Sequence, residues 1–254
     1  MSIRRYPAAR LQAAAVTLVL LAAQVQAADH LAAQLDRPTA VRKVPPKSND
    51  DPNGQIECTY YRDLMVRESG TDTPDPNDAA FVPIAAGASR PVCDATRHDG
   101  EVTVKTQGYS FVGRKAGFLL FSATDPNGAI PFMVLDANSG QIIFQDGTPA
   151  AGGIRAVAVE NGALHLRYTR GFNASCSIMQ DAAGCWSRLV AEGKIPPTMA
   201  QSPPSPKLCA ASYRAAHATA DDPSVISYDV DTTISAADSA RVVPRGPVAC
   251  SPVP

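Results

Sequence analysis

Between residues 102 and 170 the apolar positions fall into short β-type patterns. Val102 and Val104 alternate with Thr103 and Lys105. The parity then shifts, and Tyr109 and Phe111 continue on the other set. Gly108 sits at the shift, which predicts a β-bulge. Phe118 to Phe121, Phe132 to Leu135 and Ile142 to Phe144 are continuous apolar runs. Such runs predict strands covered on both faces. Their connectors, Asp125-Pro126-Asn127-Gly128 and Asp136-Ala137-Asn138-Ser139-Gly140, carry turn chemistry. The pattern is that of a meander of consecutive antiparallel strands.

Residues 153–170 predict a hairpin with a defined register. Asn161-Gly162 is a two-residue turn signal. It sets Glu160 against Ala163, Val159 against Leu164, Val157 against Leu166 and Arg155 against Tyr168. The other side pairs Ala158 with His165 and Ala156 with Arg167. One face is apolar and the other small or polar, so a one-residue slip would destroy the match. A helix is predicted next, capped by Asp181 and ended by Gly193 before Pro196. Cys185, Trp186, Leu189 and Val190 share one side of it. Beyond it, Ile226, Tyr228, Val230 and Ile234 alternate with Ser227, Asp229, Asp231 and Thr233, as in a half-exposed strand. Ala236 to Ser239 can turn, and Arg241 to Val243 can return.

Two stretches interrupt this pattern. Residues 28–55 hold Pro38, Pro45, Pro46 and Pro52 and predict an irregular lead, with a short helix near Leu31 to Leu35. Residues 195–206 hold Pro196, Pro197, Pro203, Pro204 and Pro206, which fit neither a helix interior nor a central strand. Only about 48 residues remain after that stretch, too few for a comfortable second core. A crossover on one domain spanning 56–254 is therefore preferred to a linker between two domains.

The N-terminus changes the compartment. Arg4, Arg5 and Arg10 precede an apolar stretch from Ala13 to Ala23, and Val25-Gln26-Ala27 suits a cleavage point. This is the layout of a removable secretory signal over residues 1–27. Eleven residues at 1.5 Å each reach about half way across a bilayer core, so no transmembrane anchor is expected after cleavage. Removing 27 residues from 254 leaves 227. Three arginines leave with them, so 23 bases fall to 20 against 24 acids, a net charge of about −4. That balance argues against nucleic acid as a partner.

Six cysteines lie beyond the signal: Cys58, Cys93, Cys176, Cys185, Cys209 and Cys250. An even number in an exported chain predicts three disulfides. Fifteen pairings exist; the sequential one (58–93, 176–185, 209–250) closes local loops. No Cys-x-x-Cys pair occurs, and His30, His98, His165 and His217 lack ligand spacing, so no metal site is expected. The segment Val134 to Ile143 resembles one blade hairpin of quinoprotein-type β-propellers. The likeness covers about ten residues and occurs once, whereas a propeller needs several copies. It implies neither that fold nor a cofactor, and none is expected.

Catalytic signatures are sparse. The chain has no Gly-x-Ser-x-Gly, no phosphate loop and no His-Glu-x-x-His. Asp125 and Asp136 are explained as turn residues, and Asp229 and Asp231 as a solvated strand face. Asn173-Ala174-Ser175 matches the common glycosylation pattern. One basic cluster carries a candidate ligand face: His165, Arg167 and Arg170, with Arg114 and Lys115 at the start of the meander. Small alanines beside His165 and Arg167 leave room for an anion.

These observations predict a mainly β chain, an antiparallel meander forming a sandwich or open barrel, with one short helix and disulfide staples. They point to an exported, non-catalytic binding or structural protein, periplasmic or secreted, with an envelope or extracellular and anionic ligand. The alternative is a hydrolase of an envelope or extracellular polymer.

Overall fold

A computed structural model describes residues 31–46, 55–69, 78–106, 108–123, 128–149, 153–235 and 239–253. The expected leader and the turn at 125–127 lie outside them. The fold is mainly β, built from three antiparallel sheets whose strands succeed one another in chain order, and it is not closed into a barrel. The first sheet holds β1 (Ala40–Val44), β2 (Ile56–Tyr60), β3 (Leu64–Ser69), β4 (Asp78–Pro83) and β5 (Val102–Lys105). The second holds β6 (Tyr109–Lys115), β7 (Phe118–Ala123), β8 (Ala129–Asp136) and β9 (Ile142–Pro149). The third holds β10 (Ile154–Glu160), β11 (Ala163–Asn173), β12 (Ser224–Ile234) and β13 (Arg241–Pro252).

The continuous apolar runs explain the layering. Strand side chains alternate between faces. Phe118, Leu120, Phe132 and Val134 pack on one side, with Leu164, Leu166, Tyr168 and Val230 of the third sheet. Leu119, Phe121, Met133 and Leu135 pack on the other, with Leu64, Val66 and Phe81 of the first. The second sheet is thus the middle layer, and its two central strands are apolar on both faces, whereas the run predicted at Ile142 to Phe144 lies on edge strand β9 and is not covered on both sides, Ile142 being 46 % exposed. The second and third sheets approach closely at two glycines: a Cβ on Gly147 would lie 2.6 Å from the Gly171 carbonyl oxygen.

The 160–163 hairpin has the predicted register, with both turn residues at positive φ (Asn161 51°, Gly162 78°), as a type I′ turn requires. One pairing differs: Tyr168 faces Ile154, and Arg155 is thrown out by a bulge between Ile154 and Ala156. The parity change at Gly108 also has another cause. The chain leaves the first sheet at Lys105 and enters the second at Tyr109, so the shift marks a change of sheet, and the bulge of β6 lies between Phe111 and Gly113.

Helix α1 (Ala182–Ala191) begins and ends as its sequence predicts. The Asp181 carboxylate accepts the Gly184 N–H at 2.9 Å. At the other end Gly193 N–H donates to Val190 O and Lys194 N–H to Leu189 O, a Schellman closure. A second helix, α2 (Pro206–Ala215), corrects the expectation of one helix and of strands alone in the C-terminal piece. Ser205 caps it, and Pro206 occupies its first turn, where no backbone N–H is needed. Both helices cover the third sheet around Ile226, Val248 and Cys250. The segment between them is packed: Ile195 is buried and the Trp186 indole donates to Ala200 O at 2.9 Å. The lead, expected to be irregular, supplies edge strand β1, and where a short helix is expected near Leu31 to Leu35, helical backbone is described at Leu31 and Ala32, followed by a turn.

All six cysteines are paired, as 58–93, 176–185 and 209–250. Cys58–Cys93 ties the long β4–β5 connection over the outer side of the first sheet, Cys176–Cys185 ties α1 to the end of β11, and Cys209–Cys250 ties α2 to β13.

Candidate functional site

The third sheet has a covered face and an open one. From Ile226 to Ile234 burial alternates along β12: Tyr228, Val230 and Thr232 face inward, while Ser227, Asp229, Asp231 and Thr233 are half exposed. Register carries that parity across the sheet. His165 pairs with Thr233, Arg167 with Asp231 and Thr169 with Asp229. Arg241 pairs with Thr233 and Arg245 with Asp229 on the far side. Ala158 and Ala156 stand beside His165 and Arg167. The open face is therefore a short lattice of arginine, aspartate, threonine and histidine.

Its charges interlock. Arg167 Nε donates to Asp231 Oδ1 at 3.1 Å and Arg245 Nε to Asp231 Oδ2 at 2.9 Å. The hydrogen bond from Arg167, reinforced by Arg245, holds the Asp231 carboxyl below its ordinary value. Arg155, thrown out by its bulge, reaches the same face: Nη1 donates to Asp229 Oδ2 at 2.9 Å and Nη2 to Thr169 Oγ1 at 2.6 Å. Thr169 Oγ1 passes a hydrogen bond on to Asp229 Oδ1 at 2.7 Å. Arg241 is exposed with no partner among the described residues. Two open grooves flank Arg167. One, of about 350 Å³, runs over Ala156, Ala158 and His165. The other, of about 340 Å³, lies between Arg167 and Arg245.

The five predicted ligand residues do not all meet here. His165 and Arg167 do. Arg170 has the opposite parity on β11 and points inward, where Nε donates to Asp146 Oδ1 at 2.9 Å and Nη1 to the Tyr228 hydroxyl at 3.1 Å. The Tyr168 hydroxyl donates to the other Asp146 oxygen at 2.5 Å. Arg170 thus belongs to a polar knot between the second and third sheets. Arg114 lies on β6, forks onto Asp63 at 2.5 and 2.9 Å and covers the Tyr61 ring. Lys115 donates to Gln34 O at 2.5 Å and closes the β6 edge against the N-terminal turn.

Sequence reasoning missed Arg155, Arg241 and Arg245 as members of this face. Extending the β12 register into the return strand would have found the last two. Arg155 was hidden because no local signal marks its bulge. Glu68, only 8 % exposed between the first and second sheets, accepts the Phe111 N–H at 2.7 Å. Burial pushes its carboxyl up to about 7, against that hydrogen bond; Glu57 beside it raises it further and Lys43 opposes. Among the described residues no cluster of three or more His, Cys, Asp or Glu could hold a metal ion. No helix of the described residues is long and apolar enough to cross a membrane. No family model matches the chain, and no curated protein or solved structure does either.

Proposed function

We propose that the protein is exported and acts in the cell envelope or extracellular space as a non-catalytic binding protein, with the open face of the third sheet as its binding surface. The observation that carries this reading is the lattice itself. Its titratable side chains line shallow grooves on a rigid sheet rather than converge in an enclosed cavity, an arrangement suited to holding a ligand. The three disulfides and the mainly β fold are compatible with a stable extracellular protein, since disulfides persist in oxidising compartments.

The test is to incubate the protein, recovered from outside the cytoplasm, with labelled envelope and extracellular polymers. Retention of a polymer at unchanged length supports the reading. Shortening of a polymer by the purified protein would replace it with the hydrolase alternative.

A further inference from the structure

We infer that the face centred on Asp231 binds an acidic polysaccharide, its arginines taking successive carboxylate or sulfate groups of the polymer. The inference rests on the reading of that face as a binding surface. Three observations carry it.

The first is the way the arginines are held. Arg167 and Arg245 both grip Asp231 through Nε. Their terminal nitrogens, which form the outward edge of each guanidinium, have no partner among the described residues. The side chains are 68 % and 63 % exposed. A guanidinium anchored at Nε keeps a two-donor edge that matches an oxyanion. The aspartate fixes both forks in advance, so less rotamer freedom is lost on binding.

The second is charge. Asp231 is shared by two arginines, so this cluster keeps one uncompensated positive charge. Arg241 adds another on the same side of β13. The chain as a whole carries a net charge of −1. Arg155 is paired with Asp229, and Glu160 in the groove offsets one of the two remaining charges, so the face keeps a net charge of +1, which favours an anion.

The third is spacing. Neighbouring strands lie about 4.8 Å apart, so β10 to β13 spans about 14 Å. Arginines stand on β10 (Arg155), β11 (Arg167) and β13 (Arg241, Arg245). A chain of pyranoses crossing the strands advances by a similar step per sugar, and β12, between β11 and β13, carries Asp231, on which Arg167 and Arg245 converge, so neighbouring acidic groups of the polymer would meet the outer edges of those two guanidiniums. The groove over His165 is lined by Ala156 and Ala158, by Thr232 and Thr233, and by Glu160, whereas the one between Arg167 and Arg245 is lined by Asp229, Val230 and Asp231. That gives room for a sugar ring and hydroxyls to meet it. A compact acidic protein would instead need an apolar centre to its interface, and the named face positions offer only small or polar groups and Val243.

The test uses oxidised, full-length mature protein and two probes, polygalacturonate for carboxylate and heparin for sulfate, with neutral dextran as the blank. Binding is expected to at least one acidic probe and not to dextran, weakening as salt rises from about 50 to about 200 mM. R167Q/R245Q is expected to lose at least tenfold in affinity. R241Q, which breaks no side-chain bond among the described residues, is expected to lose a few-fold. R188A/R214A removes two exposed helix arginines away from the face and is expected to change affinity by less than twofold. Equal losses in R188A/R214A and R167Q/R245Q would overturn the site. Equal or tighter binding to polyglutamate or to vesicles of anionic phospholipid would overturn the polysaccharide. Polymer length is monitored in the same samples. No retention of either acidic probe, with another polymer of the panel retained, sinks this inference alone, whereas polymer shortening sinks the non-catalytic reading beneath it.

Discussion

Single buried charges shape the behaviour of this protein in ways that can be measured. Glu68 is the clearest. Its ordinary value is 4.5 and burial raises it to about 7, so between these values the folded chain keeps a proton that the unfolded chain has lost. Stability therefore falls as pH rises from about 4.5 to about 7 and is level with respect to this group above that. The shift corresponds to about 3 kcal/mol. Denaturant melts at pH 5 and pH 8 should show the loss in the wild type and a much smaller one in E68Q; identical pH slopes would refute the assignment. Arg170 is the second case. Its removal leaves the Asp146 carboxylate, whose side chain is 7 % exposed, with only the Tyr168 hydroxyl and its neighbouring backbone. R170A should cost about 3 kcal/mol, since an uncompensated buried charge remains. R167A, which strips an exposed pair, should cost less than about 1 kcal/mol by the same melts.

At the level of elements, legibility tracks local chemistry. The hairpin can be read residue by residue from Ala156 to Arg167, as far as the bulge, because Asn161-Gly162 admits one turn type and only one register buries Val157, Leu164 and Leu166 together. Helix α1 is legible because its cap, apolar stripe and terminal glycine agree. D181A should cost about 1 kcal/mol through loss of the Gly184 N–H acceptor. Helix α2 is hidden because the five prolines that precede or open it read as breakers. Pro206 at the first turn behind Ser205 is instead a start signal, and only the helical residues from Lys207 onward give it that meaning. Gly108 illustrates the same limit. A parity shift signals a bulge or a change of sheet, and local sequence does not distinguish them.

At the scale of the molecule, the stack of three sheets is half visible in the sequence. The continuous runs in β7 and β8 require cover on both faces, but which strands supply it is set by long-range packing that no local pattern encodes. The close approach at Gly147 and Gly171 is equally invisible. G147A should lower stability by about 2 kcal/mol or more, because its new methyl meets backbone rather than a side chain that can swing away. The candidate site divides in the same way: His165 and Arg167 share a strand face by simple alternation, while Arg170, three residues on, falls on the other. The disulfides join segments 35, 9 and 41 residues apart, each pinning a connection or helix to a sheet. At about 2–4 kcal/mol apiece, their reduction should lower the melting temperature by well over ten degrees.

We propose that the chain is exported, trimmed and cross-linked before it works. Intact mass of the protein produced with its own N-terminus, before and after reduction and thiol alkylation, tests this most directly. The expected result is a mass for residues 28–254 less six hydrogens, and six alkylated thiols only after reduction. An uncleaved N-terminus, or six thiols that alkylate without reduction, would contradict it and remove the ground for seeking its ligand outside the cytoplasm.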